Sequence, residues 1–180
     1  MITPEEAEKL LREKIKSERY IEHSILVGKM MKILAEHFGE DPIKWYIAGL
    51  LHDIDYEITK DTPEKHGLIG AEWLEGKVDE DVLHAIKAHN FEHIGIEPKS
   101  KLDYALIACD ALSGLISATR LVMPNKTIEE IKVKSLKKKF KQKDFAKSVS
   151  RERILFCEKI GLDKSQFFEI ILNGLKDGSK

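Results

Sequence analysis

A chain of 180 residues has room for one domain, with or without a helical appendage, and buries about two-thirds of the surface that its unfolded form exposes. Apolar residues make up 42% and charged residues 34%, the profile of a charge-rich globular chain, and a net charge of −1 excludes overall charge as the selector of an anionic or cationic partner. The first residues lack a basic segment followed by an apolar one, and no stretch reaches the ~18 apolar residues of a membrane span, so a cytoplasmic protein without a membrane partner is expected.

Helix punctuation begins at once. Thr3 reads as an N-cap, Pro4 as the first helical position and Glu6 as the reciprocal partner of a capping box, with a first helix running to about Ser17. Tyr20, Ile21, Ser24, Ile25, Val27, Gly28, Met31, Ile33, Leu34 and Phe38 then repeat at helical spacing until Gly39 ends the second helix. Asp41-Pro42 opens a third helix ending near Asp53, and residues 54–61 read as a loop. Thr62-Pro63-Glu64 predicts a fourth helix with His66 in its first turn, stopped by Gly76. A fifth is expected from about Asp79 to Asn90, a long sixth over 101–122, and later helices over 127–141, 144–160 and 163–176. No strand alternation or hairpin turn interrupts this pattern, which predicts an all-α fold. Cys109 and Cys157 sit in apolar helical patterns without CxxC spacing and read as free buried thiols.

Polar residues inside these apolar patterns carry the chemistry. His52-Asp53 closes the run Trp45-Tyr46-Ile47-Ala48-Gly49-Leu50-Leu51, and an imidazole beside a carboxylate is a ready nitrogen and oxygen donor pair for a transition metal. Asp110 is the only charged side chain between Tyr104 and Thr119, and an unpaired carboxylate buried there costs several kcal/mol. Alone, Asp110 reads equally as the partner of a basic side chain from another helix. His23, His66 and His89, each on a separate helix, supply further donors of the kind that bundles converge on one cation. His37, His84 and His93 read as structural.

The order His23, His52-Asp53, His66, His89, Asp110 resembles the H…HD…H…H…D signature of the HD superfamily of metal-dependent phosphohydrolases, over roughly residues 18–122. Local phrases share the resemblance: Leu50-Leu51-His52-Asp53-Ile54, His66-Gly67-Leu68-Ile69-Gly70-Ala71 and Ala88-His89-Asn90. The resemblance implies an all-α HD-domain helical bundle over 1–122, with 123–180 as a basic helical extension packed on it. It also implies one or two divalent transition-metal ions (Mn, Fe, Co, Zn or Ni). His23, His52, Asp53 and Asp110 hold one ion in this scheme, and His66 and His89 hold a second with Asp53 bridging. Asp55 stands where the HDIG variant has glycine, and Asn90 replaces the second histidine of the cyclic-dinucleotide branch, which disfavours that substrate.

Between Lys132 and Arg153, ten basic side chains face only Asp144 and Glu152, a local charge of +8 that leaves −9 on the rest. That segment reads either as a solvated helix face or as a rim steering phosphates toward the metals. The expected activity is hydrolysis of a phosphate ester in a nucleotide or other small phosphorylated compound, with nucleic acid a less favoured partner. In that scheme Asp53 orients water, Asp55 or Glu57 moves a proton, and Lys60, Lys134, Lys138 and Arg153 contact substrate phosphate. The same ligand pattern also serves di-iron oxygenases of this superfamily, and a non-catalytic nucleotide-binding or nucleic-acid-binding module is the third reading.

Overall fold

The computed structural model describes residues 1–178, and every regular element among them is helical. α1 (Pro4–Lys14) starts with the expected capping box: Thr3 N–H donates to Glu6 Oε2 at 2.8 Å, and Glu6 N–H donates to Thr3 Oγ1 at 3.1 Å. It stops at Lys14, three residues earlier than expected, because the Lys16 and Ser17 amides donate to the Glu57 carboxylate at 2.9 and 2.7 Å and so open α2 instead. α2 (Glu18–Phe38) ends at Gly39, whose φ of 71° is the left-handed geometry that lets its N–H reach back to Ala35 and Glu36 carbonyls.

α3 (Pro42–Leu51) is capped by Asp41 and lies tightly on α2. Gly49 makes that approach possible: a Cβ there would stand 2.8 Å from Gly28 Cα and 2.8 Å from the Val27 carbonyl oxygen. Backbone atoms cannot swing aside, so glycine sets how closely the doublet after α3 sits against the histidine on α2.

The stretch read as a loop holds a short α4 (Tyr56–Thr59), and the expected fourth helix is divided. Pro63–Lys65 forms a 3₁₀ turn, His66 is extended, Gly67 takes φ 90°, and α5 (Leu68–Leu74) begins only afterwards. His66 is therefore on the approach to a helix and not in its first turn. α6 (Glu80–Ala88) and a short α7 (Phe91–Ile94) precede the long α8 (Lys101–Leu121). α8 starts with a second capping box, Ser100 with Asp103, and His84 Nδ1 lies 2.8 Å from the buried Asp103. By length and hydropathy α8 could cross a membrane, but 67% of its most apolar window is buried in this bundle.

After a 3₁₀ turn at Ile128–Glu130 come α9 (Val133–Lys141), α10 (Arg151–Ile154), a 3₁₀ segment (Leu155–Ile160) and α11 (Lys164–Gly178). The expected helix over 144–160 forms only in its second half. The Arg151 guanidinium instead binds six backbone carbonyls, those of Lys139, Phe140, Gln142, Phe145, Ala146 and Val149, at 2.6 to 3.1 Å. A planar cation with five N–H donors satisfies the C-terminal carbonyls of α9 and the irregular chain after it, which removes the need for helix there. α11 packs on α2, α10 and the 3₁₀ segment pack on α8, and Cys109 and Cys157 are free and buried in the apolar cluster shared by all of them.

Gly49→Ala is expected to lower unfolding free energy by about 1–3 kcal/mol through overpacking at a rigid crossing, read as a lower urea midpoint.

Candidate metal centre

Six side chains converge from four helices and one extended segment. His23 projects from α2, His52 and Asp53 follow the end of α3, His66 precedes Gly67, His89 follows the end of α6, and Asp110 comes from the middle of α8. His52 and His89 take equivalent positions just past a helix, where each Nδ1 donates to a carbonyl three residues back, that of Gly49 at 2.6 Å and that of Ile86. His66 Nδ1 donates to Asp55 Oδ1 at 2.7 Å. The Ser113 hydroxyl donates to the Asp110 carbonyl at 2.6 Å, so its oxygen is left to accept from His23 Nδ1 at 3.3 Å. With every Nδ1 committed as donor, every Nε2 is left with a lone pair.

Those four Nε2 atoms face carboxylates. His23 Nε2 lies 3.0 Å from Asp110 Oδ1 and 3.3 Å from Asp53 Oδ2, and His52 Nε2 lies 3.3 and 3.4 Å from the same two oxygens. On the other side of Asp53, Oδ1 lies 3.1 Å from His66 Nε2 and 3.3 Å from His89 Nε2, and the two nitrogens are 3.0 Å apart. Asp53 thus turns one oxygen to each donor set. Ligand atoms held about 2.0–2.2 Å from a divalent ion stand about 2.8–3.6 Å apart in octahedral or tetrahedral shells, the spacing found in both sets. Nitrogen and oxygen acceptors facing one another repel unless a cation or protons lie between them, so the donor chemistry and the spacing both fit metal ions.

Without a metal, protons take that place. Burial disfavours a charged His23, but its bonds to Asp110 and Asp53 outweigh this and push its pKa up to about 10. His66 is also pushed up to about 10, its bonds to Asp53 and Asp55 overcoming burial. His89, fully enclosed and beside two other imidazoles, is shifted down, chiefly by burial. Burial would raise Asp53 and Asp110, yet the facing imidazoles hold both well below the usual carboxylate range.

Asp55, expected as a proton carrier, is buried with both oxygens engaged. Beyond His66 it accepts from the Gly67 and Gly70 amides at 2.8 and 2.7 Å and from Thr59 Oγ1 at 3.3 Å. Glu57 is bound to the Lys16 and Ser17 amides. Asn90 donates to the Pro63 and His66 carbonyls at 2.7 and 2.9 Å and so pins the segment that presents His66, and its Oδ1 meets His93. Arg153, from α10, reaches the cluster: Nη2 donates to the His89 carbonyl at 2.6 Å and lies 3.8 Å from Asp110 Oδ2, while Nη1 donates to Glu92 at 2.6 Å.

The other expected phosphate contacts are elsewhere. Lys60 is exposed after α4, and Lys134 and Lys138 are exposed on α9; none of the three lines the groove of about 1600 Å³ that opens at His23 and Asp53. The cations that do line it are Arg19, Lys29, Lys32, Arg120 and Lys126. Sequence reasoning singled out none of these five, which lie scattered outside the basic run, so only the geometry distinguishes them.

Fold and site together define an all-α phosphohydrolase-type metal protein. The family description "HD domain" matches residues 20–115, more than half of the chain, and the chain belongs to that family of metal-dependent hydrolases. Among curated proteins it is similar to Ribonuclease Y of Oleidesulfovibrio alaskensis, 39% identical over 100 residues that cover 54% of this chain and 18% of that one. Ribonuclease Y of Lawsonia intracellularis is 36% identical over 107 residues, covering 58% and 20%. Ribonuclease Y of Enterococcus faecalis is 39% identical over 95 residues, covering 52% and 18%. The chain thus spans about a fifth of the length of these relatives. No solved structure matches it significantly.

Protonated His23 and His66 stabilise the metal-free fold fully below the ordinary histidine value of 6.5, and that stabilisation is lost as pH rises toward about 10. Metal binding needs the same rings deprotonated, so it strengthens over the same window. The melting temperature of the metal-free protein is expected to fall between pH 6.5 and 10 while the increment from added Mn²⁺ grows. Asp55→Asn keeps shape but loses the charge that orients His66. It is expected to weaken one of two binding events by about 10–100-fold in titration calorimetry and leave the other unchanged.

Proposed function

We propose that this chain hydrolyses a phosphodiester of RNA at the paired donor sets that share Asp53. The observation that carries the reading is that shared carboxylate, with Oδ2 turned to His23, His52 and Asp110 and Oδ1 to His66 and His89. Divalent ions held there supply Lewis acidity, making hydroxide available near neutral pH and neutralising charge on the phosphoryl oxygens. The names of the relatives, all ribonucleases, favour an RNA diester over the small nucleotide expected from sequence.

The protein's own groups hold and orient. Gly49 and Ile86 carbonyls, Ser113 and Asp55 fix the four imidazoles so that each Nε2 points inward, and no reorganisation is needed as charge develops. Asp55 is in this reading a positioning residue for His66. Arg153 places a permanent positive charge at the edge of the site, beside Asp110, where it meets a phosphoryl oxygen that approaches the cluster.

The test is Mn²⁺-dependent release of p-nitrophenol from bis(p-nitrophenyl) phosphate and cleavage of a labelled RNA, with Asp53→Ala beside the parent protein. Asp53→Ala is expected to fall to background in both assays, and equal turnover in the two proteins would sink the site. Arg153→Ala is expected to lower kcat/KM by about 10–100-fold, with Arg153→Lys recovering part of it, because the lysine keeps the charge but not the two-pronged geometry.

A further inference from the structure

The groove is larger than a small phosphorylated compound fills. Its volume of about 1600 Å³ exceeds the ~300–1,000 Å³ of pockets that enclose drug-sized ligands. On the α2 side it is lined from Arg19 to Glu36, a run of roughly 25 Å at the helical rise. Only one end of it meets the metal cluster, through His23 and Asp53. Tyr20 and Tyr56 stand at that end, their rings packed edge to face at 5.0 Å.

Cations recur at increasing distance from that end. Lys29 and Lys32 follow His23 by six and nine positions, roughly 9 and 13 Å along α2, and Arg120 follows Asp110 by ten, roughly 15 Å along α8. Lys126 joins them from the turn after α8, and the partly buried Ile25, Leu26 and Ile33 provide apolar surface along the same groove. Cations interspersed with apolar surface along an open channel, with two aromatic rings at its metal end, suit a strand of linked phosphates and flat bases. A single phosphate needs one such cation and no 25 Å of channel. Glu22, Glu36, Glu129 and Asp177 also line the groove, so it is not a field of one sign and engages a strand through a few discrete phosphate contacts.

We propose that this groove is a track for one RNA strand of several nucleotides, with a phosphodiester at the metal centre and the neighbouring phosphates on Lys29, Lys32, Arg120 and Lys126. The assignment rests on the hydrolase reading for its polarity, since the metal end is where cleavage occurs. Part of the track lies outside the family match at residues 20–115, in Lys126, Ser148, Val149 and Leu175, so the shared domain alone does not make it.

Fluorescence anisotropy of the full chain without metal, using labelled single-stranded RNA of two, four, six and eight nucleotides, tests the track without turnover. Affinity is expected to rise with length by ~10-fold or more and then level off, and the paired reversal Lys32→Glu with Lys126→Glu to erase that gain and lower the salt slope by about one per lost phosphate contact. In the same variant, Mn²⁺-dependent hydrolysis of bis(p-nitrophenyl) phosphate is expected to be unchanged, which shows that fold and metal site are intact. Equal affinity for dinucleotide and octamer, or an unchanged length dependence in the paired variant, overturns the track. Displacement of the octamer by a long-chain alkyl phosphate and not by unlabelled RNA also overturns it, by assigning the groove to an amphiphile. Length-dependent binding in a protein that hydrolyses no diester supports the track and refutes the hydrolase reading instead.

Discussion

Acceptors turned against acceptors are what the rest of this structure has to accommodate. Four imidazole nitrogens and three carboxylate oxygens, in two sets, stand 3.0 to 3.4 Å from their nearest facing partners in a largely buried space, each with a lone pair directed inward. Such an arrangement is stable only with positive charge at its centre. Protons on His23 and His66 supply it in the metal-free protein, and divalent ions compete with those protons for the same positions. The bundle does not avoid the repulsion, and a second layer of donors and acceptors locks it in place. Two backbone carbonyls, one hydroxyl and one carboxylate hold the outer nitrogens, so none of the rings can turn its lone pair away.

That second layer also explains the local backbone. Asp55 ties His66 to the Gly67 and Gly70 amides, so the approach to α5 bends around one buried carboxylate, and Gly67 takes a φ of 90° that lets the chain pass beneath the Ile86 carbonyl. The Ile86 carbonyl belongs to the same turn that orients His89. Positions of His66 and His89 are therefore coupled through backbone as well as through Asp53. On the opposite side, the Gly49 contact with α2 sets the separation of His23 from His52.

The convergence of the six candidate donors was legible in sequence because polar residues stand where the apolar pattern leaves no inexpensive partner, as with Asp110 alone among sixteen residues of α8. The all-α fold and the capping box of α1 were legible for a similar reason, since side chains carry the signals. Carbonyl groups leave no mark in a sequence, so the roles of Gly49 and Ile86 could not be read. Asp55 was read as a proton carrier because a carboxylate near a metal doublet suggests one, whereas its two oxygens are used up on His66, two amides and Thr59. The basic run was open to two readings, a solvated helix face and a phosphate rim. Its density drew attention to Lys134 and Lys138, which are exposed on α9, while its two arginines differ: Arg151 binds six carbonyls and Arg153 reaches Asp110.

What this chain shares with its relatives and what it has of its own fall in different places. The family match ends at residue 115, five positions past the last ligand, so it contains the entire donor set and the layer that orients it. Arg153, the turn with Lys126 and the groove wall from α11 all lie beyond it. A metal cluster with fixed geometry acts on any phosphate ester that reaches it. Which ester reaches it depends on the walls that guide approach, and here those walls are shared between α2 and α8 and the segment after α8. The division is therefore by contact and not by position: the six donors and the groups that orient them bear on metal binding, Lys29 and Lys32 inside the family match and Lys126 beyond it line the groove without touching the donors, and the Arg153 guanidinium lies against Asp110.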